Sequence, residues 1–301
     1  MKNKTTFIFS GQGSQYIGMN QLTAKNQISN DYFSRSIEIL DYDICDIIEN
    51  GPIDRLNKTL YTQPAIFIQS VIYDKILKNM GIRPNSVAGH SLGEFSALVS
   101  SKVISFEDAL EIIKVRSKEM HISGKKNPGM MAAIIGANIE QINTICKQDN
   151  IVVAANYNSE NQTVISGSIN GVKNAIISAK EIGIRKCIPL NVSGAFHSPL
   201  MQDARIALEK VINSINFNDA RVPVYQNVNP IPIMDSEEIK NNIIKQLVNP
   251  VRWNETIVNM YKDKHNNFIE VGPGKVLYNL NKKIIKDPFI NQNSESIIVE
   301  S

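Results

Sequence analysis

With 301 residues, the chain is long enough for one large domain or for a domain that carries an insertion. Its net charge of +3 is too small to indicate a nucleic-acid partner, and no run of about 18 apolar residues is present to span a membrane. Three isolated cysteines without a Cys-x-x-Cys or a Cys/His ligand spacing argue against a disulfide framework and a metal site, so we expect a cytoplasmic protein.

The predicted elements begin with a β-branched and aromatic strand at residues 5–9. A glycine-rich loop follows at residues 10–15, but its spacing matches neither the P-loop nor the dinucleotide-binding motif. Gln12 lies between two glycines, so it could approach a ligand closely or simply belong to a turn. Residues 16–60 are predicted to be mainly helical, and the apolar residues 65–73 indicate a buried helix.

Residues 89–93 carry a Gly-x-Ser-x-Gly pattern between a short predicted strand and a predicted helix. This context is typical of a nucleophile elbow, in which a strained turn lifts the central serine, Ser91, out of the sheet. The N–H group of the next residue then points to the place where an oxyanion would form, and the helix N-terminus adds partial positive charge there. The alternative is an ordinary glycine-rich turn.

A further helix is predicted to begin after Ser105, an N-cap residue with Asp108 three positions later. This helix carries Arg116 within an apolar stripe. Taken by itself, such an arginine is more often an exposed residue whose stem covers apolar surface.

The pattern changes at residue 129. Residues 129–192 have the predicted order β-α-β-β-α-β of a ferredoxin-like fold, so we interpret them as a small inserted subdomain. The large subdomain then comprises residues 1–128 and 193–290, and the asparagine-rich tail at residues 291–301 is predicted to be disordered. His197 lies where the chain re-enters the large subdomain. A lone histidine is more often structural, but a junction between subdomains favours a pocket.

Five separated stretches, and a sixth late in the chain, resemble the malonyl-CoA:acyl carrier protein transacylases. They are residues 11–15, the elbow with its following glutamate at 89–94, Arg116, Gly-Ala-Phe-His at 194–197, Gln-Leu-Val-Asn-Pro-Val-Arg-Trp at 246–253 and Glu-Val-Gly-Pro-Gly-Lys at 270–275. The resemblance covers nearly the whole chain. It implies an α/β fold with an α/β-hydrolase-like large subdomain and an inserted ferredoxin-like small subdomain.

The resemblance also implies a ping-pong transfer of malonyl from coenzyme A to the phosphopantetheine thiol of an acyl carrier protein. Ser91 would be the nucleophile and His197 the base, and the N–H groups of Gln12 and Leu92 would form the oxyanion hole. Arg116 would clamp the malonyl carboxylate, because its planar fork matches a carboxylate bidentately.

No acid that would complete a triad can be singled out between the serine and the histidine. The resemblance instead implies a Ser–His dyad, in which a main-chain carbonyl near Gln246 orients the imidazole. Phe196 matches the Ala-Phe-His form associated with malonyl units. His90, within the elbow, and Asn156 are further candidates for substrate binding. No cofactor or metal is implied, since the partner carries the phosphopantetheine, and we expect a monomer with malonyl-CoA and an acyl carrier protein as partners.

Ser10 departs from the proline that is commoner at this position of the family. A serine there resembles acyltransferase-like proteins of trans-acting polyketide systems, some of which hydrolyse stalled acyl chains, but those tend to lack the arginine. An acyl-thioester hydrolase is therefore the alternative, and Arg116 favours the transferase. A non-catalytic carrier-binding module is disfavoured because nucleophile, base and clamp are all present. Fatty-acid and polyketide synthesis both stay open.

Overall fold

A computed structural model describes residues 4–286 and 291–300. Two β-sheets organise these residues. The larger sheet is parallel throughout, with the strand order β7-β2-β1-β8-β9. Its strands are β1 (Lys4–Phe9), β2 (Ser86–Gly89), β7 (Val224–Tyr225), β8 (His265–Val271) and β9 (Asn291–Asn293). Because parallel strands end at the same edge, the loops that follow β1, β2 and β8 converge there.

The smaller sheet is antiparallel, with the strand order β4-β5-β3-β6. It lies between residues 129 and 189, and its elements are β3 (Gly129–Ile135), α7 (Ile139–Ile145), β4 (Val152–Ser159), β5 (Gln162–Ser168), α8 (Ile169–Glu181) and β6 (Lys186–Pro189). Helices α7 and α8 pack on this sheet around a separate apolar core. The predicted fold class, with a ferredoxin-like insertion in a larger α/β unit, is confirmed.

The remaining helices belong to the larger unit. They are α1 (Gln27–Leu40), α2 (Ile44–Asn50), α3 (Ile53–Leu56), α4 (Thr59–Asn79), α5 (Gly93–Ser100), α6 (Phe106–Lys126), α9 (Gln202–Ser214), α10 (Ser236–Gln246), α11 (Trp253–Lys262), α12 (Val276–Ile284) and α13 (Ser294–Glu300). Helix α4 is buried along most of its length, as its apolar sequence predicts, and it packs against α6 in the main core. No helix of the described ranges is both long and apolar enough to cross a membrane.

The prediction of a disordered tail is wrong for residues 291–300. These residues add β9 to the edge of β8 and then form α13. Their polar side chains find partners that composition does not reveal: Asn293 Nδ2 donates to the Gly274 carbonyl at 2.5 Å, and Tyr16 Oη donates to Glu295 Oε1 at 2.7 Å. The predicted ends of the large subdomain, residues 1–3 and 287–290, and the last tail residue lie outside the described residues.

Candidate active site

The loop between β2 and α5 forms a sharp strand–turn–helix junction. Its central residue, Ser91, has a left-handed backbone with φ 52°. Both flanking glycines are required by close contacts: a Cβ on Gly89 would lie 2.0 Å from the Gly93 carbonyl carbon, and one on Gly93 would lie 2.1 Å from the Phe9 carbonyl oxygen. The elbow geometry expected from the pattern is therefore present, and the tight approach of α5 to β1 explains why glycine is needed.

Ser91 and His197 form a hydrogen-bonded pair. Ser91 Oγ lies 2.7 Å from His197 Nε2, although the two residues are far apart in the chain. His197 Nδ1 lies 3.0 Å from the Gln246 carbonyl oxygen and 3.1 Å from that of Asn249. Since carbonyls only accept hydrogen bonds, Nδ1 carries the proton and Nε2 is left as the acceptor for the serine hydroxyl. Main-chain carbonyls thus occupy the place of a triad acid.

The environment keeps the His197 imidazole neutral. Burial, and to a smaller extent the nearby Arg116 cation, lower its pKa to about 3. His197 itself has a left-handed backbone with φ 57°. A neutral imidazole that accepts from a serine hydroxyl has the protonation state of a general base.

Arg116 is a buried cation beside the serine, with 1% of its surface exposed. The interpretation of this arginine as an exposed residue is therefore wrong, because its face of α6 is turned toward the elbow. Arg116 Nη2 donates to Ser91 Oγ at 3.1 Å and to Gln246 Oε1 at 3.1 Å, and Nη1 donates to Gln63 Oε1 at 2.5 Å. Burial lowers its pKa to about 10, so the guanidinium stays charged at neutral pH.

Gln63 was not found from the sequence. It lies on the buried helix α4 together with other buried polar residues such as Gln69 and Asp74, so the local sequence does not single it out. Its amide donates to Thr59 Oγ1 at 2.7 Å while its oxygen faces Arg116. The amide is therefore oriented for the guanidinium.

A cavity of about 220 Å³ opens at the elbow, between the two sheets. The small subdomain contributes Met131, Asn156, Asn158, Gln162 and Val164 to its walls. All sequence-predicted site residues line it except Gln246, which lies beneath: these are Gln12, His90, Ser91, Leu92, Arg116, Asn156, Phe196 and His197. The structure thus brings together residues from both subdomains.

The loop after β1 lies directly against the elbow. A Cβ on Gly11 would be 2.5 Å from the His90 carbonyl oxygen, so this approach also needs glycine. Within the described residues, the N–H groups of Gln12 and Leu92 have no hydrogen-bond acceptor. Gln12 Oε1 accepts from Thr59 Oγ1 at 3.1 Å, which holds the Gln12 side chain against α4. Two free N–H groups at the cavity are what an oxyanion hole requires.

His90 connects the elbow to the small subdomain. Its Nε2 lies 2.9 Å from Asn158 Oδ1, and its ring lies 5.6 Å from the ring of Trp253. Burial lowers its pKa, which favours the neutral form. His90 therefore supports the cavity wall rather than acting as a second base for the serine.

No group of three or more His, Cys, Asp or Glu side chains in the described part of the chain is arranged to hold a metal ion. The polar groups of the cavity are instead a hydroxyl, an imidazole, a guanidinium and amides. This set suits nucleophilic attack on a carbonyl and the binding of an anion.

The chain matches the acyl transferase domain family over residues 6–298. The malonyl CoA-acyl carrier protein transacylase of Bacillus subtilis is 39% identical over 287 residues, covering 94% of this chain and 90% of the relative. The protein of the same name from Haemophilus influenzae is 38% identical over 290 residues, covering 94% and 93%.

Solved structures agree. The malonyl CoA-acyl carrier protein transacylase of Coxiella burnetii has a TM-score of 0.94 at 34% identity, covering 99% of this chain and 96% of that one. A malonyl-transacylase in complex with its type II polyketide synthase acyl-carrier protein has a TM-score of 0.93 at 34% identity, covering 99% of both chains. With a family match over nearly its whole length, the chain belongs to the acyl transferase domain family, and its resemblance to the malonyl-CoA:acyl carrier protein transacylases is confirmed.

Proposed function

We propose that the protein is a malonyl-CoA:acyl carrier protein S-malonyltransferase, in fatty-acid or polyketide synthesis, that works through a covalent malonyl–serine intermediate. The names of its relatives support this activity. The observation that carries the proposal is the buried Arg116 guanidinium, which lies 3.1 Å from Ser91 Oγ. A malonyl group attached at Ser91 would bring its free carboxylate within reach of this cation.

In the first half-reaction, Ser91 Oγ attacks the thioester carbonyl of malonyl-CoA while its proton passes to His197 Nε2. The oxyanion accepts hydrogen bonds from the N–H groups of Gln12 and Leu92. The C–S bond then breaks, and the coenzyme A sulfur takes the proton from Nε2. The other imidazole proton stays on Nδ1, which donates it in hydrogen bonds to the carbonyl oxygens of Gln246 and Asn249, and these bonds stabilise the imidazolium formed in between.

In the second half-reaction, the phosphopantetheine thiol of the carrier protein gives its proton to Nε2 and its sulfur attacks the malonyl ester. The bond to Ser91 Oγ breaks, and the oxygen regains its proton from His197. No electrons are exchanged with an outside donor, and acid–base chemistry is sufficient, so the reaction needs no bound cofactor.

We propose a monomer as the working unit, because one chain supplies the nucleophile, the base and the cation. We place the reaction in the cytoplasm, where coenzyme A thioesters and free thiols coexist. The three cysteines are all unpaired, which is the usual state in a reducing compartment.

The test is the intact mass of the protein after incubation with malonyl-CoA. Wild type should gain one malonyl group, and Ser91→Ala should gain none, because the attacking oxygen is gone. Adding a phosphopantetheine-loaded acyl carrier protein should then move the group to the carrier thiol.

Malonate attached to the Ser91→Ala variant would show that another residue is the nucleophile. Release of free malonate instead of carrier loading would identify a hydrolase. Wild type that gains no mass but binds the carrier protein would be a binding module.

A further inference from the structure

A buried glutamate lies beneath the nucleophile elbow. Glu94 is the second residue of α5, and none of its surface is exposed. Its Oε1 accepts from Gln226 Nε2 at 2.9 Å, and its Oε2 accepts from Asn227 N at 3.1 Å and Gln246 Nε2 at 2.9 Å. The carboxylate does not reach the cavity, so it makes no contact with a substrate.

All three groups around this carboxylate are fixed as donors. Asn227 contributes a main-chain N–H. The Gln226 amide cannot turn over, because its oxygen accepts from Asn242 Nδ2 at 2.9 Å and its nitrogen donates to the Ile239 carbonyl at 3.1 Å. The Gln246 amide is held in the same way, since its oxygen accepts from Arg116 Nη2 at 3.1 Å. Only a side chain that accepts from all three, which is an ionised carboxylate, matches this arrangement.

Two of these donors support the reacting groups. Asn227 Oδ1 accepts from Ser91 N at 2.7 Å, and Asn227 Nδ2 donates to the Gly89 carbonyl at 2.6 Å. These two bonds hold both sides of the strained turn. The Gln246 amide donates to the Ser91 carbonyl at 2.9 Å, while the Gln246 carbonyl accepts from His197 Nδ1 at 3.0 Å. The same carboxylate therefore anchors the support of the serine and the support of the histidine.

We propose that Glu94 is a positioning residue for acyl transfer: its ionised carboxylate sets the alignment of Ser91 with His197 through Asn227 and Gln246. This inference rests on the proposed function only in that Ser91 and His197 react as a pair. Gln246 also bridges Glu94 to Arg116, so the carboxylate compensates the buried cation at the same time.

The Glu94 carboxylate should also make the rate depend on pH. The groups that face the carboxylate are neutral amides and a main-chain N–H from the segment after β7 and from α10, and its charged neighbour is Arg116 on α6. Burial raises the pKa of Glu94 to about 7, although the three donors and Arg116 act against that shift. Below this pH the carboxyl gains a proton and loses one accepting position, so alignment and rate should fall. His197, with its pKa lowered to about 3, does not titrate in that range.

The experiment compares wild type, Glu94→Gln and Glu94→Asp, with the exposed Glu111→Gln as the matched control. The rate at which a fluorophosphonate labels Ser91 is measured from pH 5.5 to 8.5, together with kcat and KM for malonyl-CoA. For Glu94→Gln we expect the labelling rate and kcat to fall about 10- to 100-fold, because misplacing Ser91 relative to His197 by about 1 Å slows the reaction. KM should change little, because Glu94 makes no contact with the substrate. The wild-type acid limb near pH 7 should be absent from this variant, and Glu94→Asp should recover part of the rate.

Glu94→Gln that melts like wild type and labels at the wild-type rate would overturn the inference. If Glu94→Gln does not fold, the folded Glu94→Asp variant decides: a labelling rate equal to that of wild type would contradict a role for the position of this carboxylate. Fluorophosphonate labelling does not depend on the malonyl substrate. A protein that never accepts malonyl but shows these labelling differences would therefore refute the proposed function and leave this inference standing.

Discussion

At the scale of single residues, the site is dominated by one cation with neutral partners. The guanidinium of Arg116 is bonded to a hydroxyl and two amide oxygens, and its Nε is buried without a hydrogen-bond partner in the described residues. Glu94 compensates its charge only through Gln246. A substrate carboxylate would supply the direct anionic partner that the cavity lacks, and an acetyl group would not.

We therefore expect Arg116→Ala to change substrate choice as well as rate. Malonyl transfer should fall by orders of magnitude, because the anion loses its clamp. Acetyl transfer should hold or rise, because an acetyl group leaves the buried guanidinium without an anionic partner, and a desolvated charged donor without its full set of partners costs more than about 1–3 kcal/mol. The measurement is kcat/KM for malonyl-CoA and acetyl-CoA with one carrier protein, and the exposed Lys118→Ala on the same helix is the control. An unchanged ratio between the two substrates would mean that Arg116 does not read the carboxylate.

The sequence predicts some of these residues and not others. Ser91 is predicted because the elbow is a local pattern, whereas the base role of His197 follows from the family resemblance, since the junction between subdomains favours a pocket but does not assign that role. The side on which Arg116 lies depends on how α6 packs against α4, which is a long-range fact. Gln63 and Asn227 act through hydrogen bonds to residues that are distant in sequence, so no local pattern reveals them.

At the scale of elements, the close contact between β1 and α5 determines the position of Ser91 relative to the large sheet. Gly93 opens α5, and its Cα faces the main chain at the end of β1. Only an element without a side chain at this point can bring the helix N-terminus under the serine, where its partial charge acts on the oxyanion.

Gly93→Ala should separate these two elements. The added Cβ would meet the Phe9 carbonyl oxygen at 2.1 Å, and main chain cannot yield as a flexible side chain does. We expect a loss of about 1–3 kcal/mol in the free energy of unfolding, the usual cost of overpacking, and slower acylation of Ser91.

Urea unfolding and malonyl labelling measure the two effects. Glu111→Ala is the control, because Glu111 is exposed on α6 and does not line the cavity. A Gly93→Ala protein with wild-type stability and labelling would show that the contact is looser than the structure indicates.

The element order was largely predictable. Alternating β and α patterns between residues 129 and 189 correspond to a ferredoxin-like sheet, because β3, β4 and β5 bury apolar residues in a small core of their own. The strand β9 was not predictable in the same way. Its Asn-Gln-Asn sequence has low strand propensity, and the edge of β8 supplies the main-chain pairing that stabilises it.

At the scale of the whole molecule, the C-terminal segment closes one edge of the large sheet and supports the cavity wall. Ser294 Oγ bonds to Gly272 at 3.3 Å, and Asn293 reaches Gly274, in the loop that leads into α12. Val276, Leu277 and Leu280 of α12 line the cavity. The C-terminal segment therefore supports the cavity wall indirectly, through the loop that precedes α12.

A chain that stops at residue 290 should therefore melt roughly 5–10 °C lower and should aggregate more readily, because β8 becomes an open edge strand. KM for malonyl-CoA should rise, since the loop before α12 loses its supports. Calorimetry, light scattering and steady-state kinetics are the measurements. Val299→Ala is the control within helix α13, because this residue is 66% exposed. A truncated protein with wild-type melting temperature and KM would show that the segment supports neither the sheet nor the cavity.

The left-handed backbone angles of Ser91 and His197 bear on how such a protein changes over evolutionary time. Each angle costs an ordinary residue on the order of 1–2 kcal/mol, and a glycine would adopt it freely. The two positions that perform the chemistry are thus also positions where a substitution that ends the chemistry can make the fold more robust. Selection for activity has to oppose selection for durability at both. A lineage that no longer needed the reaction would be expected to lose these two side chains early, and to gain stability as it did so.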